Sequence, residues 1–191
     1  MGALDEPGLL QRHRVTVDEY YRMADAGVLA PDARVELIDG EVIDMAPMKS
    51  AHARTVNWIN TILVEAVRGR ALVSCQTPLR LGDRSEPGPD LMLVRSRTDH
   101  YAASHPIASD VLLLVEVSDT SLAYDQRIKV PLYARHGVAE VWIVDLENRL
   151  IRFYRQPAGE QYLDITSTET PGLTPVAALP GLLLDLRGLL P

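Results

Sequence analysis

Residues 111 to 145, VLLLVEVSDTSLAYDQRIKVPLYARHGVAEVWIVD, decide how the chain folds. The apolar run Val111 to Val115 is too short for a helix and suits a strand buried on both faces. It ends on an acid, Glu116. A polar turn follows, then a helical-looking segment carrying Lys129, then a second apolar strand from Glu140 to Asp145. Strand, crossover helix, strand is the parallel unit of an α/β domain, and ligand sites in such sheets gather at strand ends. Glu116 stands where chemistry is expected.

Working outward, Leu146 to Arg149 reads as a turn into a strand from Leu150 to Arg155, and Gln161 to Ile165 adds another. Leu182 to Leu186 is the one strand-like run of the proline-containing tail. Arg95 to Asp110 lacks periodicity and reads as a long connection. Upstream, Pro89-Asp90 heads the apolar run Leu91 to Val94, again an acid at a strand end. Ala71 to Gln76 reads as a strand continued by Leu79 to Leu81. A helix capped by Ser50 should run to about Val67, with Val56, Ile59, Leu63 and Val67 on one apolar stripe. Asp39-Gly40 between two alternating runs is a strong hairpin signal and sets Glu36 on the first strand. Thr16 and Glu19 form a capping box for a short helix that ends at Gly27.

At 191 residues, 47% hydrophobic and 24% charged, the chain is expected to be one soluble domain over residues 1–191. Its core is expected at about 15–155, with a C-terminal extension over 156–191. No apolar run approaches the ~18 residues of a membrane span. Acids stand where a signal peptide would be basic, and Glu6 spoils the acylation pattern begun by Gly2, so a cytoplasmic location is expected. The lone Cys75 excludes an intrachain disulfide and a thiolate zinc cluster, and reads as a buried strand residue. The net charge of -7 argues against gripping nucleic acid by bulk electrostatics.

If Asp90 and Glu116 lie on neighbouring strands, their carboxylates converge, and a divalent cation is the usual resolution of that repulsion. All-oxygen ligation favours Mg²⁺ or Mn²⁺ over zinc. A lysine two residues beyond Glu116 would share its face, yet position 118 is Ser. Lys129, on the crossover helix, can deliver an ammonium to the same place. Taken singly, each residue has a plainer reading. An acid at a strand end is commonly solvated, and Asp125 with Lys129 resembles a surface ion pair four residues apart. Glu36 fits a solvent face and His52 a satisfied polar group near a helix start. Tyr133, Trp142 and Trp58 fit the core. The joint pattern raises the acids above these readings.

Val35-Glu-Leu-Ile-Asp-Gly-Glu41, Pro89-Asp90, Val115-Glu116-Val117-Ser118, Lys129 with Tyr133-Ala134, and Gly137 to Asp145 together resemble the bacterial family of restriction endonucleases with the PD-(D/E)XK nuclease fold. The resemblance covers roughly Val15 to Tyr154. It implies an α/β fold, a restriction-endonuclease-like mixed β-sheet flanked by α-helices. It also implies Asp90 and Glu116 as metal ligands, Glu36 as a further ligand, and Lys129 as a catalytic lysine migrated from position 118. His52 matches a frequent family position. Pro131 is expected to disfavour helical geometry at Val130 and kink the helix that carries Lys129. The expected function is an Mg²⁺- or Mn²⁺-dependent endonuclease cutting DNA, working as a homodimer if both strands are cut. The alternatives are a catalytically inactive nuclease-fold binding module, favoured by Ser118 and the acidic charge, and a hydrolase of a small phosphorylated molecule.

Overall fold

The structure, a computed structural model, describes residues 12–190. Residues 1–11, which carry the targeting reading of Gly2 and Glu6, and Pro191 lie outside the described residues. The backbone divides into two compact units, residues 1–45 with 81–87, and residues 46–80 with 88–191.

In the first unit, helix α1 (Val17–Asp25) opens on the expected capping box. Thr16 Oγ1 accepts from the Glu19 amide, and Glu19 returns a carboxylate to the Thr16 amide. Strands β1 (Val35–Ile38) and β2 (Glu41–Asp44) form the hairpin, with Glu36 opposite Ile43. Asp39 and Gly40 both take left-handed φ, 48° and 78°, as a tight primed turn requires. A side chain at position 40 would collide with Arg14, its Cβ falling 2.7 Å from that of the arginine. Residues 81–87 return beside β1, where Glu86 N–H donates to the Leu37 carbonyl and Tyr21 Oη to Glu86 Oε1. Glu36 is buried here, 3% exposed.

The second unit is built on α2 (Ser50–Val67), β3 (Leu72–Cys75), β4 (Leu91–Val94), β5 (Val111–Ser118), α3 (Leu122–Tyr124), α4 (Val130–Arg135), β6 (Glu140–Asp145), β7 (Leu150–Ala158), β8 (Gln161–Thr168), β9 (Leu173–Pro175) and β10 (Leu183–Asp185). Its main sheet has six strands in the order β3-β4-β5-β6-β7-β8. Only β5 and β6 are parallel; every other neighbouring pair is antiparallel. This is the expected mixed sheet, with the parallel pair at its centre and the crossover helix between. The two-residue period of β5 turns Leu113, Val115 and Val117 to a core shared with Val56, Ile59, Leu63 and Val67 of α2. Glu116 and Ser118 therefore face the opposite way, toward the crossover. The β9/β10 ribbon adds Leu184 to the α2 side of the core, joined by Leu186 and Leu189.

Several local expectations are corrected. Ser50 is the first helical residue, and its neighbour Lys49 caps α2 without a side-chain hydrogen bond. Leu79 to Leu81 forms no strand, only an isolated bridge from Arg80 to Ile107. Cys75 is exposed because it ends β3, the sheet's edge strand. Trp58 is only partly buried. Val130 is helical, with φ -59° and ψ -48°, despite preceding Pro131. The reason lies in a π-helical turn, Asp125–Lys129, that joins α3 to α4, with the Val130 amide bonded to the Asp125 carbonyl. A proline ring crowds the carbonyl four residues back and leaves it without a donor. A widened turn at that point relieves the crowding. Among the described residues, no helix is long and apolar enough to cross a membrane.

Candidate active site

Glu116 is held from two sides. Antiparallel pairing of β4 and β5 sets Leu91 opposite Val115, which brings Asp90, just before β4, alongside Glu116. The Asp90 amide donates to Glu116 Oε2 at 3.3 Å, and the Val117 amide donates to Asp90 Oδ2 at 2.9 Å. From the crossover, Lys129 Nζ reaches Glu116 Oε1 at 3.1 Å and Tyr133 Oη donates to the same oxygen at 2.5 Å. Both Lys129 and Glu116 are buried, their side chains 5% and 4% exposed.

Asp125, Lys129 and Tyr133 follow one another at four-residue intervals, and the crossover presents all three to β5. Asp125 is buried and accepts from Ser118 Oγ at 2.7 Å and Ser121 Oγ at 2.5 Å. Asp125 and Lys129, expected as a surface ion pair, are both buried and turned toward the sheet, where the Lys129 charge still acts on Asp125. His52, on the first turn of α2, places Nε2 3.0 Å from Asp90 Oδ2, while its Nδ1 is buried without a hydrogen-bond partner. Nearby, Lys49, Arg54, Thr120, Asp119 and Glu147 line an open cleft, across which Lys49 pairs with Asp119 at 3.4 Å.

The electrostatics follow from burial of several acids around one ammonium. Burial raises the pKa of Glu116, and the charges of Asp90 and Asp125 add to it. Lys129 and the Tyr133 hydroxyl oppose them, but the carboxyl stays above its ordinary range. Asp125 is raised in the same way by burial, against Lys129 and the two serine hydroxyls. For His52 burial works downward. The hydrogen bond to Asp90 and the charges of Asp90, Asp119 and Asp125 outweigh it, so its pKa is raised. For the two carboxyls burial is the largest cause of the shift, and for His52 it is the acidic neighbours, led by Asp90, that turn the shift upward.

The structure brings together Asp90, Glu116 and Lys129. Glu36 stands on β1 of the first unit. Among the described residues no three acid, histidine or cysteine side chains form a ready metal cage. Two carboxylates nevertheless suit Mg²⁺ or Mn²⁺, since Mg²⁺ typically takes one or two protein carboxylates and completes its octahedron with water and substrate phosphates. A divalent cation beside Glu116 would favour its ionised form, which burial opposes. Sequence reasoning missed the roles of Tyr133 and Asp125, assigning one to the core and the other to the surface. Their four-residue spacing around Lys129 was the available signal.

One solved structure similar to this chain is described as a "putative nuclease belonging to DUF820" from Anabaena variabilis. It superposes with a TM-score of 0.71 at 17% identity, over 92% of this chain and 97% of that one. The likeness shows a shared nuclease-like fold. No curated protein matches the chain. A family model described as "Putative restriction endonuclease" matches residues 17–187, taking in Glu36, Asp90, Glu116 and Lys129 alike, and the chain belongs to that family, Uma2.

Proposed function

We propose that this protein is a divalent-metal-dependent endonuclease that hydrolyses phosphodiester bonds of DNA. The observation that carries the reading is that Glu116, an acid buried at the end of a central strand, receives the backbone amide of Asp90 on one carboxylate oxygen and Lys129 on the other. The family description supports nucleic acid as substrate. Asp90 and Glu116 would hold Mg²⁺ or Mn²⁺, with water and substrate phosphate completing its ligands. A bound cation of this kind supplies Lewis-acid charge at the phosphoryl oxygens and makes water more acidic.

The chain's own residues do the rest. Lys129 presents an ammonium beside Glu116, where it positions the attacking water and stabilises negative charge growing on the phosphoryl group. Water oxygen bonds to phosphorus, the bond to the leaving sugar oxygen breaks, and the proton lost by water balances the one the leaving oxygen gains. His52 holds Asp90 from the side opposite the crossover. Lys49 and Arg54 stand in the neighbouring cleft, where Asp119 and Glu147 balance them in number, so a phosphate backbone would meet individual cations there and no net positive charge. Cutting both strands would require a second copy of the chain.

Supercoiled plasmid incubated with the protein and Mg²⁺ or Mn²⁺ should be nicked or linearised, and a chelator should stop the reaction. Asp90→Asn and Glu116→Gln should each abolish cleavage. Cleavage that persists in either variant contradicts the assignment.

A further inference from the structure

The Glu116 carboxylate has two oxygens in different surroundings. Oε1 receives Lys129 Nζ at 3.1 Å and Tyr133 Oη at 2.5 Å, while Oε2 receives, among the described residues, the Asp90 amide alone, at 3.3 Å. An ionised carboxylate oxygen offers about two lone-pair sites, so Oε1 is filled and Oε2 is not. The oxygen left open is the one turned toward Asp90. Tyr133 is fully buried, and Leu132 and Ala134 beside it are also in the core, so its hydroxyl is fixed by packing as well as by the bond it makes. Lys129 alone would not fix the carboxylate, because an ammonium on a four-carbon stem is a rotatable point charge. A phenol on a buried ring sets both distance and direction.

We propose that Tyr133 is a positioning residue that makes Glu116 a one-oxygen metal ligand, holding Oε1 so that Oε2 faces the cation shared with Asp90. The assignment rests on the metal-dependent reading above and deepens it. The hydroxyl works through Glu116 and touches neither substrate nor metal. Its removal should therefore loosen metal binding while sparing the fold and the binding of DNA in the absence of metal.

Tyr133→Phe keeps the ring and removes only the hydroxyl. In calorimetric titration of the full chain with Mn²⁺, the variant should bind about 10-fold more weakly than the wild type, the usual cost of losing a group that orients a metal ligand. Its thermal midpoint should fall by no more than several degrees, the cost of one buried hydrogen bond, and the variant should still unfold cooperatively. Equal Mn²⁺ affinity in a folded variant overturns the proposal and leaves the metal reading standing. No Mn²⁺ binding by the wild type overturns the metal reading, and this assignment falls with it. Should the variant fail to fold, wild-type crystals grown with Mn²⁺ decide. Contact through Oε2 alone, with Tyr133 still on Oε1, supports the proposal, and a bite through both oxygens overturns it.

Discussion

Lys129 Nζ lies 3.1 Å from Glu116 Oε1 although thirteen residues separate the two along the chain. The crossover helix returns antiparallel to β5, so a lysine on it reaches the face that a lysine at position 118 would have occupied. The ammonium is delivered from a different backbone to the same carboxylate. Lys129→Met keeps much of the buried stem and removes the charge. It should lower cleavage by about 10²–10³-fold, the usual cost of losing one preorganised transition-state donor, while Mn²⁺ still binds. Cleavage within a few-fold of wild type would show that this ammonium does not serve the reaction.

Ser118 has a structural occupation of its own, the 2.7 Å hydrogen bond to Asp125 Oδ2. Ser121 donates to the same oxygen, so Asp125 keeps one hydroxyl if Ser118 is lost. Ser118→Ala should cost about 1 kcal/mol of stability in urea unfolding and leave cleavage nearly unchanged. A large loss of cleavage at unchanged stability would place Ser118 in the chemistry.

Glu140, 1% exposed, ties the C-terminal extension to the sheet. Its Oε1 accepts from Trp142 Nε1 at 2.9 Å and Arg155 Nε at 2.7 Å, and its Oε2 from the Ala177 amide at 2.8 Å. Removing one member of a buried charged cluster strands the others. Glu140→Ala should therefore destabilise by roughly 2–4 kcal/mol, less than a fully buried pair because Arg155 is partly exposed. Thermal unfolding checks the loss, and proteolysis should cut first in residues 156–190.

Asp145 predicts an acid-side dependence. Burial pushes its pKa up, but the amide and side chain of Asn148 and the Arg152 guanidinium outweigh it, and the carboxyl sits below its ordinary value. A depressed carboxylate contributes stability above its unfolded pKa, about 4, and that contribution is lost as pH falls through the folded value. Asp145→Asn should be less stable than wild type by about 1–3 kcal/mol near pH 7. The gap should narrow as unfolding is measured from pH 5 down toward pH 2. A gap independent of pH would contradict the ionised network.

The fold was legible because apolar runs of strand length and one helical stripe carry it. Val111 to Val115, Leu91 to Val94 and Val141 to Val144 could be little else, and Asp39-Gly40 fixed the hairpin. Asp90 and Glu116 were legible as acids heading or ending such runs. Burial of the crossover's polar face was hidden, since Asp125 and Lys129 four residues apart look the same on a solvated helix as on one turned toward buried acids. Helical geometry at Val130 was hidden too, because a π turn has no pattern of side chains that announces it. Cys75 misled because its neighbours resemble a buried strand, and only the strand order makes β3 an edge.

The central claim is that Asp90 and Glu116 together hold a divalent cation. Calorimetric titration of Mn²⁺ into the metal-free wild type, Asp90→Asn and Glu116→Gln tests it most directly. The account predicts saturable binding in the wild type that is lost in both variants while their thermal midpoints show them folded. No saturable binding in the wild type, or undiminished binding in either variant, would contradict it.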